Sequence, residues 1–373
     1  MATLNGVGLC RFAYTPMIPF MIAAGAVSDT GAAYLGAANL MGYLAGAALA
    51  APVATRVGFS LATRGCFVMS VLALATCAWP GSFWWYFPWR LTAGAAGAII
   101  MVLAPSLLLT QVAPGDRGRT GGTIYAGVGA GIALSSLLIP PLAAWSINGA
   151  WAALATVAAL TAVLTWPRWH ARTLVVLGKV PDRLGRPAGL VALAFGMDGI
   201  GFVPHMLFWV DYIARTLSLG MASGAAQWLL LGLGAVIGPF LGGRIGDRIG
   251  LGRALILAYA AKAAAVALAA TATSWSMLAI SSLVTGAFTP GIAALSAARL
   301  TELIPAGSQV RAWGFATLIF GLLQAAGAYG MAAAYGITHS YVPLYWAGAG
   351  FELLGMACAW AAYSLGRRNI AGV

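Results

Sequence analysis

The sequence predicts an all-α integral membrane protein with twelve transmembrane helices arranged as two pseudo-symmetric six-helix bundles. Hydrophobic residues make up 61% of the 373 residues and charged residues only 8%, whereas soluble domains contain about 45–50% and about 25%. Apolar runs of about 20 residues, the length that crosses a bilayer, recur twelve times along the chain. A basic stretch divides these runs into six and six. Lipid is therefore the expected solvent for most of the surface.

The apolar runs define the predicted helices in order along the chain. The first six cover residues 5–26, 30–55, 63–79, 83–112, 119–146 and 149–166. The second six cover residues 188–216, 222–243, 253–272, 275–303, 310–335 and 341–366. Among them, 63–79 is the shortest, and 83–112 and 275–303 are long enough to tilt. We therefore expect an N-terminal bundle over residues 1–166 and a C-terminal bundle over residues 188–373.

The stretch 167–187 is the predicted tether between the bundles. Its basic side chains are Arg168, His170, Arg172, Lys179, Arg183 and Arg186. With a cytoplasmic N-terminus, fifteen Lys and Arg residues fall on the cytoplasmic side, and only Arg215 falls on the outer side. The positive-inside rule then places the tether and both termini in the cytoplasm. The net charge of +12 follows from this topology and does not indicate a nucleic-acid partner.

Cysteine usage indicates neither disulfides nor a metal site. Cys10, Cys66, Cys77 and Cys358 form no CxxC pair and lie in apolar surroundings, which is typical of free, buried thiols. We expect no cofactor and no bound metal.

The most specific motif is the loop Gly242-Gly-Arg-Ile-Gly-Asp-Arg-Ile-Gly250, between the eighth and ninth predicted helices. It resembles the GxxxDRxG loop of the major facilitator superfamily, whose Asp and Arg bond to neighbouring helix ends and stabilise one access state. The resemblance implies a conformational latch formed by Gly243, Asp247, Arg248 and Gly250. In the equivalent loop of the first half, Thr55 takes the position of the acid. The alternative is an ordinary basic turn between two helices.

Two further motifs strengthen this resemblance, which covers the whole chain. Arg90-Leu-Thr-Ala-Gly94 is similar to the helix-four RxxxG motif of the superfamily, whose buried Arg is linked to proton coupling. The alternative for Arg90 is a side chain that extends to the outer surface. Gly8-Leu-Cys-Arg-Phe-Ala-Tyr-Thr-Pro-Met-Ile-Pro19 resembles the GxGRFxYTPxLP opening of the YbfB/YjiJ-type transporters within the superfamily.

Arg11 is the leading candidate for a substrate contact, on physical grounds alone. A charge at membrane depth is costly unless it is paired or hydrated, so it usually faces the protein interior. Arg11, Tyr14 and Thr15 share one helix face, and Asn39 and Tyr43 share a face of the second helix. A guanidinium binds a carboxylate in bidentate fashion, which predicts an anionic substrate. The alternative is a structural pair with an acid elsewhere.

The acids within the apolar segments are candidates for proton transfer. Asp198 and His205 both titrate when buried, and Glu352 is the other lone acid. We expect Asp198 or Glu352 to couple transport to protons, with His205 as the next candidate. Glu352 could instead form a salt bridge with Lys262 or Arg299. Further candidates for the substrate site are His205 and Trp209 on the seventh helix, and Gln324 on the eleventh. For His205 the alternative is a hydrogen-bonded packing role.

These features predict a secondary transporter and not an enzyme. The resemblance implies a monomer in the bacterial inner membrane that moves a small molecule by alternating access. We interpret the substrate as an organic anion because Arg11, Arg90, Lys262 and Arg299 face only Asp198 and Glu352 in the apolar segments. The main alternative is an efflux pump for hydrophobic or cationic compounds. A membrane-embedded transferase and a sensor that transports nothing are further alternatives, although no acidic DxxD cluster is present.

Overall fold

The computed structural model describes residues 1–169, 185–305 and 307–371, which are almost entirely helical. We number the helices α1 to α12. Their bounds are α1 Leu4–Phe12 with Tyr14–Ala23, α2 Asp29–Val57, α3 Phe59–Cys77, α4 Phe83–Thr110, α5 Arg117–Trp145 and α6 Ile147–Thr165, followed by α7 Arg186–Gly201 with its continuation to Thr216, α8 Gly220–Ile249, α9 Leu251–Thr271, α10 Trp275–Leu303, α11 Gln309–Thr338 and α12 Val342–Ala371. Most of the predicted tether, 170–184, lies outside the described residues.

Eleven of these helices, α1 to α11, are long and apolar enough to cross a membrane. The protein is therefore a multi-pass membrane protein. The twelfth predicted segment is also a helix, but α12 does not reach the same apolarity over the described residues, and it contains Glu352. The predicted boundaries lie within about three residues of the observed ones, with three exceptions: α3 begins at Phe59, α12 continues to Ala371, and α8 continues to Ile249. Most of the motif predicted as a loop over 242–250 is therefore helical. Arg64 interrupts the apolar run of α3 but lies within the helix, and its Nη2 donates to the carbonyl of Trp166 over 3.1 Å.

The chain divides into two compact units, of residues 1–107 with 130–177 and residues 108–129 with 178–373. Helix α5 is thus shared between them. In the first unit, α3 packs against α6, and an apolar core surrounds Trp151 and Met17, both of which are fully buried.

The second unit has its own apolar core around Trp209, Tyr345 and Val266. Helix α8 packs closely against α10, because Gly234 and Gly238 bring its backbone against the backbone of residues 283–287. This is the close helix packing that small residues allow in membranes.

The first helix of each half departs from regular α-helical geometry. Residues Leu4–Phe12 of α1 form a π-helix, and the α-helix resumes at Tyr14. In α7 the α-helix ends at Gly201, and π-helical turns follow over Pro204–Phe208 and Tyr212–Thr216. Pro204 has no backbone N–H to donate to the preceding turn. Such π-helical segments often occur at functional sites.

Candidate functional site

Arg90 lies at the centre of a buried cluster in the first unit. Its side chain is 1% exposed, so it does not extend to the surface. Its Nη1 donates to the carbonyl of Cys10 over 3.1 Å. The guanidinium carbon lies 4.3 Å from the centroid of the Tyr14 ring and 5.9 Å from that of Trp151, at which range aromatic faces attract cations. Among the described residues, no carboxylate lies within 4 Å of Arg90.

Asn39 and Tyr14 use their polar atoms to join helices of this cluster. The amide of Asn39 donates to the carbonyls of Cys10 and Arg90 over 3.1 and 3.0 Å. The hydroxyl of Tyr14 donates to the carbonyl of Ala32 over 2.9 Å. Both side chains are at most 3% exposed. In this conformation they position the helices around Arg90.

Arg11 lies one turn before Tyr14 and, unlike Arg90, is partly exposed. Its guanidinium carbon is 4.8 Å from the centroid of the Tyr43 ring, and its side chain hydrogen-bonds the Tyr43 side chain. Thr15, four residues after Arg11, is also partly exposed. A guanidinium has five N–H donors, so Arg11 can bind an anion while it keeps its contact with Tyr43.

In the second unit, Asp198, Lys262 and Glu352 form a buried ionic triad, which we call the Lys262 triad. Lys262 Nζ lies 2.5 Å from Asp198 Oδ1 and 3.3 Å from Glu352 Oε1. All three side chains are 0% exposed, and the Nζ also lies 5.1 Å from the centroid of the Phe202 ring. The predicted proton-coupling acids thus lie together, and the predicted alternative of a salt bridge between Glu352 and Lys262 is also observed.

His205 and Trp209 head a second polar network, where α7 meets α10. His205 Nε2 lies 2.9 Å from Ser281 Oγ, and Trp209 Nε1 donates to Ser282 Oγ over 2.9 Å. Ser282 in turn donates to Gln227 Oε1 over 2.7 Å. These five side chains are at most 1% exposed. The network agrees with the predicted alternative of a hydrogen-bonded packing role for His205.

Gln324, the remaining predicted substrate-site residue of this unit, lies on α11. It is 1% exposed and packs against α7 at Gly199. Within the first unit the structure brings Arg90, Tyr14 and Asn39 together, and within the second it brings His205 and Trp209 together.

The motif predicted as a loop over 242–250 lies mostly within α8 and forms a capping contact at the N-terminus of α5, inside the second unit. The two carboxylate oxygens of Asp247 accept hydrogen bonds from the backbone N–H groups of Gly118 and Arg119, each over 2.7 Å. Gly243 has no room for a side chain, because a Cβ there would overlap the carbonyl of Gly118. Gly250 ends α8 with φ +92°, a conformation that favours glycine. Arg248 is exposed.

The equivalent loop of the first half makes no such contact through Thr55. Its hydroxyl donates back to the carbonyls of Ala51 and Pro52 in its own helix. Gly58 ends α2 with φ +84°, so the turn resembles that at Gly250 while the carboxylate is missing.

A family model described as "Uncharacterised MFS-type transporter YbfB" matches residues 3–359. The chain belongs to this family of major facilitator superfamily transporters. The family and fold are those of transporters and not of enzymes. No curated protein matches the chain.

Solved structures with the same fold are similar over almost the whole chain. The proton:xylose symporter XylE bound to 6-bromo-6-deoxy-D-glucose has a TM-score of 0.75 at 15% identity, covering 96% of this chain and 94% of that one. The human organic anion transporter MFSD10 (TETRAN) has a TM-score of 0.72 at 16% identity, covering 96% and 98%. A bacterial homologue of the iron transporter ferroportin in an outward-facing state has a TM-score of 0.69 at 13% identity, covering 97% and 98%. These similarities show the fold, and the proteins' different cargoes mean that the fold alone does not select a substrate.

The ion pairs of this facilitator-family transporter correct one premise of the sequence analysis. Lys262 and Arg299 do not lack carboxylate partners, because Lys262 faces two acids and Arg299 Nη1 lies 2.5 Å from Glu302 Oε2. Arg215 likewise pairs with Asp211. The cations that remain relevant to an anion are therefore Arg11 and Arg90 in the first unit.

Several residues of these networks were not predicted as site residues. Gln227, Ser281 and Ser282 are ordinary polar residues in apolar helices, and nothing in their spacing relates them to His205. The sequence indicated that Lys262 needs a charged partner, since it is the single charge in α9 beyond the first turn. It did not indicate which acid that partner is.

Proposed function

We propose that this protein is a secondary active transporter that moves a small organic anion across the bacterial inner membrane by alternating access, coupled to protons. In this proposal twelve transmembrane helices form two bundles, residues 1–166 and 188–373, joined by the cytoplasmic tether 167–187. Both termini are cytoplasmic, and the protein acts as a monomer.

The observation that carries the anionic substrate is the charge composition of the first unit. Its residues, 1–107 and 130–177, include one acid, Asp29, at the start of α2. Arg90 is buried without a described carboxylate within 4 Å, and Arg11 is partly exposed on the same helix as Tyr14. A buried positive charge is costly in a membrane protein, and an anion that enters near these guanidinium groups lowers that cost.

Proton coupling is supported by the opposite composition in the second unit. There, two carboxylates, Asp198 and Glu352, face the single ammonium of Lys262, and none of the three is exposed. These three groups together are neutral only when one of the two carboxylates is protonated. The triad can therefore take up and release a proton as its surroundings change. The bond between Asp247 and the start of α5 is the device that we propose to stabilise one access state.

The alternative, efflux of hydrophobic or cationic compounds, is favoured by a single observation. The second unit combines an excess of carboxylate with the aromatic rings of Trp209 and Tyr345, whose centroids lie 5.7 Å apart. Aromatic faces and carboxylates are groups that bind cations. We rank this function second because Asp198 and Glu352 are already paired with Lys262.

The test is a ligand screen on the purified protein. Mono- and dicarboxylates, quaternary amines and neutral sugars are compared by thermal shift, because a ligand that binds the native state raises the melting temperature. We expect carboxylates to stabilise the protein and amines not to. Stabilisation by amines alone would favour efflux of cations instead.

Arg11 variants then locate the anion. Arg11→Lys keeps the charge but loses the planar fork of the guanidinium, so it should weaken anion binding. Arg11→Ala should weaken anion binding by about 2–5 kcal/mol if the ion pair is fully desolvated. Arg56→Lys, at the exposed end of α2, is the matched control and should leave affinity unchanged. Affinity and melting temperature are measured on the same preparations. A lower melting temperature with unchanged affinity would make Arg11 structural and remove its role as an anchor.

A further inference from the structure

The Lys262 triad contains one more carboxylate than it can neutralise. With all three groups ionised, it would hold a net charge of −1 in surroundings where every member is 0% exposed. An uncompensated buried charge is strongly unfavourable. The unsatisfied atoms point to the same problem, because Asp198 Oδ2 and both oxygens of Glu352 have no hydrogen-bond donor among the described residues.

The distances distinguish the two carboxyl groups. Asp198 Oδ1 lies 2.5 Å from Lys262 Nζ, whereas Glu352 Oε1 lies 3.3 Å away. Charge-assisted bonds between ammonium and carboxylate are short, so Asp198 is the ionised partner of Lys262. The carboxyl groups of Asp198 and Glu352 are themselves close enough to form a hydrogen bond, but two carboxylates have no proton to share. One proton on Glu352 would supply that bond.

We infer that Glu352 is the proton-carrying residue of the triad, and that its contact with Gly201 transmits the loss of that proton to α7. This inference deepens the proposed function and rests on its proton coupling. In the protonated state, neutral Glu352 donates to Asp198, and Asp198 and Lys262 form the ion pair. On release the proton passes to solvent water, and two carboxylates then compete for Lys262.

Gly201 is where this change would reach α7. The α-helix of α7 ends at Gly201, and a Cβ at this position would overlap the carboxyl group of Glu352. The π-helical turn that contains His205 begins three residues later. The oxygen that contacts Gly201, Glu352 Oε1, is also the one that faces Lys262. When Glu352 becomes charged, this oxygen is drawn more strongly to Lys262, so the packing that fixes the end of this helix changes. His205 and Trp209 lie directly beyond that point.

The charged groups that control the protonation of Glu352 are the other two members of the triad. Helix α7 contributes Asp198 and, further along, His205. Helix α9 contributes Lys262 and Tyr259, whose hydroxyl is buried without a hydrogen-bond partner among the described residues. On α12 the next titratable group is Cys358. Lys262 is the only cation among these groups, so it alone opposes the two carboxylates.

The test is modification by dicyclohexylcarbodiimide, an apolar reagent that reacts with protonated carboxyl groups in apolar surroundings. The wild-type protein is treated at neutral pH, and the modified site is located by peptide mass spectrometry. We expect Glu352 to be modified at least about tenfold more than Asp198, which corresponds to a difference of about 1.4 kcal/mol between the free energies of protonating the two carboxylates. The modification of Glu352 should fall as the pH is raised. Preferential modification of Asp198, or modification of neither, overturns the inference.

Two variants keep the test decisive. In Lys262→Met both carboxyl groups lose their cation and should be protonated, so Asp198 becomes reactive, which shows that the reagent reaches it. Glu352→Gln should abolish modification without lowering the melting temperature, because the amide replaces a neutral acid. If this variant is strongly destabilised, Glu352 is ionised in the native state and the inference is wrong.

The link to α7 is tested by hydrogen–deuterium exchange of residues 199–209, corrected for the intrinsic effect of pH. Exchange should increase between mildly acidic and alkaline pH in the wild type but not in Glu352→Gln. An equal increase in both proteins overturns the role of Gly201. Neither experiment requires a substrate, so a failed anion screen would leave this result standing, and a failed labelling experiment would leave anion binding intact.

Discussion

Replacing Asp247 is the perturbation whose consequence the structure defines best. Its carboxylate accepts two hydrogen bonds of 2.7 Å from Gly118 and Arg119, in the first turn of α5. The first N–H groups of a helix have no partner within the helix, and the helix dipole favours a negative charge there. Asp247 therefore caps α5 as an N-cap residue would, although it comes from α8.

The magnitude follows from this geometry. Loss of an N-cap acceptor costs about 0.5–2 kcal/mol, and removing a charge from the positive end of a helix costs about 0.3–1 kcal/mol when the site is exposed. Asp247 is half-buried, so we expect Asp247→Ala to cost about 1–2 kcal/mol of stability. Asp247→Asn keeps one acceptor oxygen and should cost less than the alanine variant but more than nothing. With about 2–4 °C per kcal/mol for a large domain, either loss is measurable.

The assay is the melting temperature of the purified protein, measured beside Asp116→Asn. Asp116 is exposed at the same end of α5, so its variant makes the same change of charge without losing the two bonds. We expect Asp247→Ala to lower the melting temperature most and Asp116→Asn to lower it least. Equal effects of Asp247→Asn and Asp116→Asn would mean that long-range charge, and not the capping bonds, explains the contribution of Asp247.

Two further predictions concern packing and topology. Gly94→Ala should prevent stable folding, because a Cβ there overlaps the backbone carbonyl of Asn39. Gly65→Ala is the control and should be tolerated, because a Cβ there meets no atom within 4 Å. Yield and melting temperature are measured for both variants, and equal values would contradict the close approach of α2 and α4. Single cysteines in 167–187 should be labelled only from the cytoplasm and those in 336–341 only from outside, so labelling of the former in intact cells would reverse the proposed orientation.

The helices could be predicted from the sequence because the solvent determines their pattern. Each observed helix lies on a predicted apolar run, since unpaired backbone groups are too costly in lipid for the chain to do otherwise. The differences occur at charges. Arg64 was read as the edge of a segment, but it lies within α3, and its long side chain reaches the Trp166 carbonyl and lies 5.1 Å from the Trp166 ring centroid.

The contacts within the candidate site were less predictable, because they join residues far apart in sequence. The partners of Lys262 lie 64 and 90 residues away, and composition alone could not tell which cation Glu352 would meet. Asn39 shares a helix face with Tyr43, but its amide donates to backbone carbonyls of α1 and α4. A polar residue on a helix face indicates that a partner is needed, but it does not say whether the partner is a ligand or the backbone.

The correction at Lys262 changes how the charges of the molecule should be interpreted. The sequence suggested a single excess of positive charge, because it has four cations and only two acids in the apolar segments. In the structure these charged residues are instead divided between two compact units. In the first, Arg90 is surrounded by rings and a carbonyl oxygen, which stabilise a cation without neutralising it. In the second, the ammonium of Lys262 is outnumbered by Asp198 and Glu352.

Each unit therefore has an electrostatic cost that a ligand of the opposite sign would reduce. In our proposal that ligand is an anion in the first unit and a proton in the second. Because both requirements arise from buried groups, their energies are large enough to favour one conformation over another, whereas exposed charges would be screened. Two sites of opposite sign are one arrangement by which a transporter can couple an anion to a proton. This is why we place the anion near Arg11 and Arg90 and the proton on Glu352, and do not assign both to one cluster.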